Sequence, residues 1–183
     1  MRLKASLDLD GTIVEFYNHY ISKYGHPKSD LEITKNVIGP LRRDPEFWLS
    51  QPIINVPNFK PHCYCTARVI SKELIKKQLR INNLPKAPVY QVHGVSLSKY
   101  FQLKRSGAEV HVDDSLSVFI DLNSRGIPCL LLDSSTNKHW KEPVAKVYSL
   151  DKDEIEDAYH LFLDTMFPHF KAFINDYKQE LLG

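Results

Sequence analysis

The chain has 183 residues, of which 43% are hydrophobic and 25% are charged, and its formal net charge is +2. A chain of this size can bury one compact core without disulfides or a structural metal. The near-neutral charge excludes any strong electrostatic argument for a nucleic-acid or membrane partner, so we expect neither.

Cysteine usage and the start of the chain bear on its compartment. The three cysteines, Cys63, Cys65 and Cys129, are an odd number, which argues against a disulfide framework and for a reducing environment. Cys63 and Cys65 lack the two-residue spacing and the second pair of a structural zinc site, so we interpret them as small buried hydrophobes. No signal peptide precedes the first acids, and no segment approaches the ~20 apolar residues of a membrane helix. We therefore expect a cytoplasmic protein.

The first predicted strand, Leu3–Leu9, ends in two aspartates that are two residues apart. Alternate side chains of a strand share one face, so Asp8 and Asp10 would converge on one small volume. Left alone they would repel each other, whereas a divalent cation, and Mg²⁺ above all, would keep one ionised. Gly11 allows a sharp turn here. The same segment is equally compatible with an ordinary turn, because Asp-Gly is a common turn dipeptide.

The rest of the chain alternates between helical and strand patterns. Helical spacing of apolar residues predicts helices over residues 12–23, 44–49, 69–82, 97–106, 115–124, 151–159 and 160–182, broken near Pro168. Short apolar runs predict further strands over residues 62–66, 88–92, 109–112, 129–132 and 147–150. Pro45 directly after Asp44 is typical of a helix start.

This alternation, with short connections, predicts a doubly wound, Rossmann-like α/β fold. A parallel sheet would lie between two layers of helices, giving three α/β/α layers. Residues 15–61 form an unusually long link between the first two strands, and we interpret them as a small helical cap inserted after strand 1. The expected core domain is then residues 1–14 and 62–183. Ligands of such sheets bind outside the carboxyl ends of the strands.

Polar residues follow the predicted strands at those carboxyl ends. Thr66 closes the second strand, and the acidic pair Asp113 and Asp114 follows the fourth. The helix before the fourth strand carries Lys99 near its start and Lys104 midway. In a doubly wound sheet these residues and the first pair of aspartates lie along one edge. Together they predict a site for phosphate chemistry.

With these residues in place, the chain resembles the haloacid dehalogenase superfamily of phosphohydrolases. Residues 8–12, DLDGT, match its first motif, Thr66 its second, a lysine its third, and the pair Asp113-Asp114 its fourth. The matches span residues 3 to about 132. Both lysines qualify for the third motif, and we favour Lys99 because it stands nearest the sheet edge. The small helical insertion resembles the cap of the 5'-nucleotidase and deoxyribonucleotidase branch.

The resemblance implies a phosphatase that works through an aspartyl-phosphate. Asp8 would attack phosphorus, and Asp10 would protonate the leaving oxygen and then activate water. Mg²⁺ would be held by Asp8, the backbone carbonyl of Asp10, and Asp113. An aspartate in the place of Asp10 distinguishes the phosphatases of this superfamily from its dehalogenases.

The remaining implied roles concern phosphate and support of the metal. Thr66, the backbone N–H of Ala67 and Lys99 would bind the phosphoryl oxygens. Thr12 and Asp114 would support the metal ligands, with Asp114 as an alternative ligand itself. From the residues alone, Asp114 is also a candidate helix N-cap, and Thr66 a plain β-branched strand residue.

Several residues keep two interpretations. Arg68 would either grip the phosphate or substrate or lie at the surface. Trp48, with Phe47, would either stack on a substrate ring or pack the small core of the cap, and we favour packing. His111 points the same way as Asp113 and is either a core residue or a support of the site.

We expect a small-molecule phosphomonoester as substrate, with a nucleoside monophosphate as the leading candidate. A larger substrate, such as a nucleic-acid phosphate end or a phosphoprotein, is the alternative within the same chemistry. A binding or regulatory protein without turnover is the alternative outside it. The complete set of acids argues against that second alternative. The sequence leaves the oligomeric state open.

Overall fold

A computed structural model describes residues 3–93, 96–134, 137–138, 140 and 145–175 of the chain. Its six strands form one parallel sheet in the order β3-β2-β1-β4-β5-β6. The strands are β1 Ala5–Leu7, β2 Cys63–Thr66, β3 Val89–Gln91, β4 Val110–Asp113, β5 Cys129–Leu132 and β6 Lys146–Val147. The predicted doubly wound α/β fold is confirmed.

Within the described ranges, α-helices and two short 3-10 helices connect and cover these strands. The α-helices are α1 Tyr17–Tyr24, α2 Asp30–Ile38, α3 Pro45–Leu49, α4 Lys72–Ile81, α5 Ser96–Ser106, α6 Leu116–Ser124 and α7 Lys152–Thr165. The 3-10 helices are Leu41–Arg43 and Phe167–His169. Residues 170–175 are helical as well. The part of the predicted last helix beyond residue 175 lies outside the described residues.

The inner strands are nearly continuous apolar runs because helices cover both of their faces. Every residue of β1, β2, β4 and β5 is buried, whereas the outer strands β3 and β6 are partly exposed. That pattern is typical of a parallel sheet between two helical layers. Helices α5 and α6 pack against each other. The general right-handedness of crossovers between parallel strands assigns α4 to the opposite face of the sheet.

The chain changes direction across the sheet between β1 and β4. It runs outward from β1 through β2 to β3, then returns to form β4 on the other side of β1. The pairing sets Leu7 opposite Val112, so Asp8 and Asp113, one residue further on, lie level at the strand ends. Ligands of open α/β sheets bind at such a switch point.

Helix caps explain two of the boundaries. The Asp44 side chain accepts a hydrogen bond from the N–H of Phe47 (2.9 Å), and Pro45 opens α3 as predicted. The N-cap of α6 is Ser115, whose hydroxyl accepts from the N–H of Val118. The N-cap interpretation of Asp114 is therefore wrong.

The predicted helix from residue 12 starts later than expected. The N–H groups of Thr12, Ile13 and Val14 all donate to the carbonyl of Leu9, and the N–H of Gly11 donates to the carbonyl of Val14. These N–H groups and the carbonyl of Val14 form the hydrogen bonds of a compact turn and so cannot form those of a helix. Helix α1 therefore begins only at Tyr17. Near the C-terminus, α7 runs through the predicted boundary at residue 159 and ends before the 3-10 turn that contains Pro168.

Residues 15–61, the cap segment, have an aromatic cluster of their own. It comprises Phe16, Tyr20, Tyr24, Phe47 and Trp48, whose ring centroids lie 5.3–6.1 Å from their neighbours. The indole N–H of Trp48 donates to the carbonyl of Leu41 (2.8 Å), and its side chain is buried. A ring enclosed in this way has no free face for a substrate. Of the two interpretations of Trp48, the favoured one, packing in the small core of the cap, is therefore confirmed, and stacking on a substrate ring is wrong.

Candidate active site

A buried lysine joins the carboxyl ends of β1 and β4. The Nζ atom of Lys99 lies 2.7 Å from Oδ1 of Asp8 and 2.5 Å from Oδ2 of Asp113. The three side chains are 3%, 8% and 2% exposed, so the charges interact with little screening by water. Lys104 is exposed and lies over the ring of Tyr100 instead. The structure therefore brings Lys99, and not Lys104, to the acids.

Asp113 has further partners behind it. Its Oδ2 lies 3.2 Å from Nε2 of His111, whose Nδ1 lies 3.2 Å from the hydroxyl of Ser6. Its Oδ1 accepts from the N–H of Ser115 (2.9 Å). Burial opposes ionisation of Asp113, but Lys99 and His111 outweigh it and hold the pKa of this carboxyl well below its usual range. Burial lowers the pKa of His111, so its imidazole is neutral at neutral pH.

The third carboxylate of this cluster belongs to Asp114. One ligand oxygen from each of Asp8, Asp113 and Asp114 lies within 4.8 Å of the others. Asp114 approaches the turn after β1 so closely that a Cβ on Gly11 would lie 2.1 Å from Oδ2 of Asp114. Gly11 also has φ +74°, which disfavours any residue with a side chain. Glycine is therefore required here for both space and backbone conformation.

The cluster carries more negative charge than Lys99 neutralises. Three carboxylates and one ammonium leave a formal charge of −2. Burial, together with the neighbouring acids, raises the pKa of Asp8 to about 7 against the opposing effect of Lys99. Burial, Asp113 and Asp8 raise the pKa of Asp114 to about 8. An all-oxygen donor set with two uncompensated charges fits a hard divalent cation such as Mg²⁺.

Asp10 does not join this cluster, although it lies only two residues from Asp8. Its Oδ1 accepts from Nη2 of Arg68 (2.6 Å) and its Oδ2 from Nε of Arg68 (2.9 Å), which is a bidentate pair. The Arg68 side chain is fully buried, whereas the Asp10 side chain is 28% exposed. Arg68 was expected to bind substrate or to lie at the surface. The structure corrects both expectations, because its guanidinium is committed to Asp10.

Two glutamines complete the surroundings of Arg68. Its Nη1 donates to Oε1 of Gln78, and its Nη2 also donates to Oε1 of Gln51 (3.1 Å). Gln78 in turn donates to the carbonyl of Trp48 (2.5 Å) and to Oε1 of Gln51 (3.2 Å). The guanidinium lies 5.3 Å from the ring of Trp48. We call Asp10, Arg68, Gln51 and Gln78 the arginine network.

Sequence reasoning missed both glutamines. Gln78 is fully buried on the face of α4 that also carries Ile75 and Leu79, and a polar residue on such an apolar face was a readable signal. Gln51 is not part of any periodic apolar pattern or motif of the sequence, so no signal could have identified it. Among the described residues its Nε2 finds no hydrogen-bond acceptor, which costs about 1–3 kcal/mol. The amide thus turns its oxygen toward Arg68 at the expense of its own N–H groups.

The expected phosphate-binding and supporting residues lie at the same edge of the sheet. Thr66 ends β2, is 1% exposed, and accepts a long hydrogen bond from the N–H of Arg68 (3.4 Å). Ala67 follows it and is partly buried. Thr12 is fully buried, and its hydroxyl has no partner among the described residues. Its carbonyl accepts from Asn55 of the cap segment (2.8 Å).

A cleft of about 960 Å³ lies between the cap segment and the loops after β2 and β3. Its lining includes Arg42, Arg43, Ile70, Gln91 and His93. The side chain of Gln91 donates to the carbonyls of Arg68 and Ile70, so the cleft wall adjoins the arginine network. Arg42 and Arg43 are exposed and form no ion pair with the described residues. The cleft is therefore open to an anionic ligand.

The three cysteines are free and buried, which agrees with their interpretation as small hydrophobes. Burial raises the pKa of Cys65 to about 12, so its thiol stays protonated. Within the described part of the chain, the aspartate cluster is the only group of three or more metal-ligating side chains.

No protein-family model matches the chain, and no curated protein is detectably similar to it. Of the helices in the described ranges, none has the length and apolar character to cross a membrane. The functional conclusion therefore depends on the geometry of the site.

Proposed function

We propose that the protein is a Mg²⁺-dependent phosphatase that hydrolyses a phosphomonoester through an aspartyl-phosphate on Asp8. One observation carries the proposal: the Asp8 carboxylate is fixed by Lys99 at a sheet switch point, opposite an acidic pair. A carboxylate fixed in this way is oriented for nucleophilic attack. The surrounding charges can stabilise the phosphoryl group while it is transferred.

In the first step, one oxygen of Asp8 forms a bond to phosphorus as the bond from phosphorus to the leaving oxygen breaks. The proton of the Asp10 carboxyl passes to that oxygen, so the product leaves as an alcohol. Thr66 and the N–H of Ala67 would hold the phosphoryl oxygens, and Lys99 would neutralise charge on Asp8.

In the second step, water attacks the phosphorus of the aspartyl-phosphate. Asp10, now a carboxylate, takes a proton from this water while the bond between phosphorus and Asp8 breaks. Inorganic phosphate is released, Asp8 returns as a carboxylate and Asp10 is again protonated, so the cycle balances.

The metal would be held by Asp8, Asp113 and the carbonyl of Asp10, with Asp114 as a further ligand or a support. When bound, Mg²⁺ supplies charge neutralisation for the transferred phosphoryl group. Lys99 and the metal then share the same acids, and His111 keeps Asp113 oriented.

The substrate that best fits the site is a small phosphomonoester, with a nucleoside monophosphate as the leading candidate. The cleft lined by residues 69–71, which follow Arg68 in the chain, has room for a nucleoside, and its apolar and basic lining suits a ring and its polar substituents. The exposed Arg42 and Arg43 also favour, as a second candidate, a larger substrate that presents a nucleic-acid phosphate end.

Phosphate release from p-nitrophenyl phosphate and a panel of nucleotides tests the proposal. We expect release with Mg²⁺, none with chelator, and a loss on the order of 10⁴-fold or more in Asp8→Asn. Asp121→Asn, which alters an exposed ion pair on α6, is the matched control and should keep full activity. Metal-independent release, or equal release from Asp8→Asn, would exclude the proposed mechanism, whereas no release from any substrate would exclude the phosphatase and leave a binding role.

A further inference from the structure

We propose that Arg68 is a positioning residue that fixes the proton-transferring carboxylate of Asp10, and that it couples this carboxylate to the cap segment. This inference rests on the proposed function. It goes beyond it by assigning a role to a residue that has none in the two steps described above.

The first support is the geometry of the pair. Both oxygens of Asp10 accept from one guanidinium, at 2.6 and 2.9 Å, so the plane of the carboxylate is fixed. An ionised carboxylate has about four lone-pair sites, and the fork occupies two of them. The remaining sites stay available for a proton, and the 28% exposure of Asp10 leaves them accessible to a substrate.

The second support is that Arg68 itself is held rigidly. Its side chain is fully buried, and its other N–H groups donate to the amide oxygens of Gln78 and Gln51. The reversed amide orientation of Gln51 would bring its NH₂ group against the Nη2 donor of Arg68. An arginine fixed from behind in this way transmits a defined position to Asp10.

The third support is the origin of the partners. Gln51 and Trp48 belong to the cap segment, Gln78 to α4 of the core, and Arg68 to the loop after β2. The position of Asp10 therefore depends on how the cap segment sits against the core. A substrate that enters the cleft lined by residues 69–71 contacts the same loop and the same cap segment.

The proposal predicts a loss that depends on the leaving group. A nucleoside alkoxide needs the proton from Asp10 in order to leave, whereas p-nitrophenolate is a stable anion and needs it little. Misplacing Asp10 should therefore slow the first substrate far more than the second. A general loss of folding or of metal binding would slow both alike.

The test compares kcat/KM for a nucleoside monophosphate and for p-nitrophenyl phosphate in Arg68→Lys, which keeps the charge but loses the fork. We choose kcat/KM because it reports the steps up to departure of the leaving group and excludes the later attack of water, which both substrates share. We expect a loss of about 100-fold for the first substrate and less than about tenfold for the second. Arg80→Lys, an exposed arginine on α4, is the matched control and should behave as wild type. In an Asp10→Asn background, Arg68→Lys should cost almost nothing further.

Equal losses on both substrates, or a full additional loss in the Asp10→Asn background, would overturn the positioning role. If Arg68→Lys does not fold, Gln78→Met gives the same test with a smaller expected difference, because it removes one acceptor and keeps the arginine. The outcomes separate the two proposals. Wild type without Mg²⁺-dependent turnover contradicts the phosphatase, whereas an active wild type with leaving-group-independent losses contradicts only the role of Arg68.

Discussion

Asp8 and Asp10 are two residues apart in the chain, yet they belong to two different regions of the site. Asp8 lies in a buried cluster of three carboxylates that share one lysine. Asp10 lies in the arginine network, paired one to one with a guanidinium and partly exposed. Fully ionised, the aspartate cluster has excess negative charge, whereas Asp10 has the guanidinium of Arg68 to itself.

This difference separates two chemical tasks. Excess negative charge in a buried site favours binding of a cation. A carboxylate that binds this cation can serve both as its ligand and as a nucleophile. Asp10, which is partly exposed and held by one guanidinium, can exchange protons with substrate and water without a metal. The two aspartates are thus made unlike by their neighbours, and the expected effects of substitution differ accordingly.

After Asp8→Asn, the largest effect is expected where the aspartate cluster loses its lysine. Lys99→Met would leave three buried carboxylates without a counter-charge, and we expect activity to fall on the order of 10³-fold. Lys104→Met, five residues further along α5, should change activity less than about twofold. Steady-state kinetics with Mg²⁺ measures both. Similar losses of activity in the two variants would contradict the assignment of Lys99, and not Lys104, to the aspartate cluster.

A second substitution tests the close approach of Asp114 to the turn after β1. Gly11→Ala would strain a backbone at φ +74° and place a Cβ against the Asp114 carboxylate, so we expect a loss of about 3 kcal/mol in the free energy of unfolding. Gly126→Ala is the control, because Gly126 has φ +82° but open space around it, and should cost about 1 kcal/mol. Urea unfolding measures both, and equal losses would contradict the crowding.

The excess charge of the cluster predicts an unusual pH dependence of metal-free stability. The folded-state pKa of Asp114, about 8, lies above its usual 3.8, so between these values the folded protein binds more protons than the unfolded chain. Its contribution to stability is therefore lost as pH rises through this window. Removing the carboxylate in Asp114→Asn should stabilise the metal-free protein relative to wild type by roughly 2 kcal/mol at pH 9.

Unfolding curves in chelator at pH 5 and pH 9 check this expectation. The advantage of Asp114→Asn should be small at pH 5 and grow toward pH 9, and saturating Mg²⁺ should cancel or reverse it. A difference between the two proteins that does not change with pH would show that Asp114 carries no excess charge in the folded state.

The smallest effect is expected at the cleft, outside both regions. Arg42→Gln together with Arg43→Gln should raise KM for a nucleoside monophosphate about fivefold, by removing exposed charges that attract an anion. The KM for p-nitrophenyl phosphate, which is too small to reach the cleft lining, should stay unchanged. If both KM values rise equally, the two arginines attract anions in general and do not contact the nucleoside.

The cluster was largely predictable from the sequence, and the arginine network was not. Apolar runs fix where parallel strands end, so Asp8, Asp113 and Thr66 could be placed on one edge from local pattern alone. The choice of Lys99 followed from its place at the start of α5. The arginine network, in contrast, is assembled from the cap segment, the loop after β2 and a buried position of α4. Such contacts depend on how distant segments pack, which no local pattern records.

The same reason explains the late start of α1. Residues 12–14 have a helical pattern of apolar side chains, but their N–H groups converge on the carbonyl of Leu9 at the end of β1. The turn that brings Gly11 beside Asp114 outweighs the local helical preference. The apolar pattern therefore predicted the wrong helix start at a position where the backbone conformation is determined by the site.

Chemical trapping of the covalent intermediate tests the central claim most directly. Protein mixed with substrate and Mg²⁺ is quenched in acid, the acyl phosphate is reduced with borohydride, and peptide mass spectrometry locates the reduced residue. We expect reduction of the side chain at Asp8 alone, absent with chelator. Reduction at another residue, or turnover without any reducible aspartyl-phosphate, would contradict the assignment of Asp8 as the nucleophile.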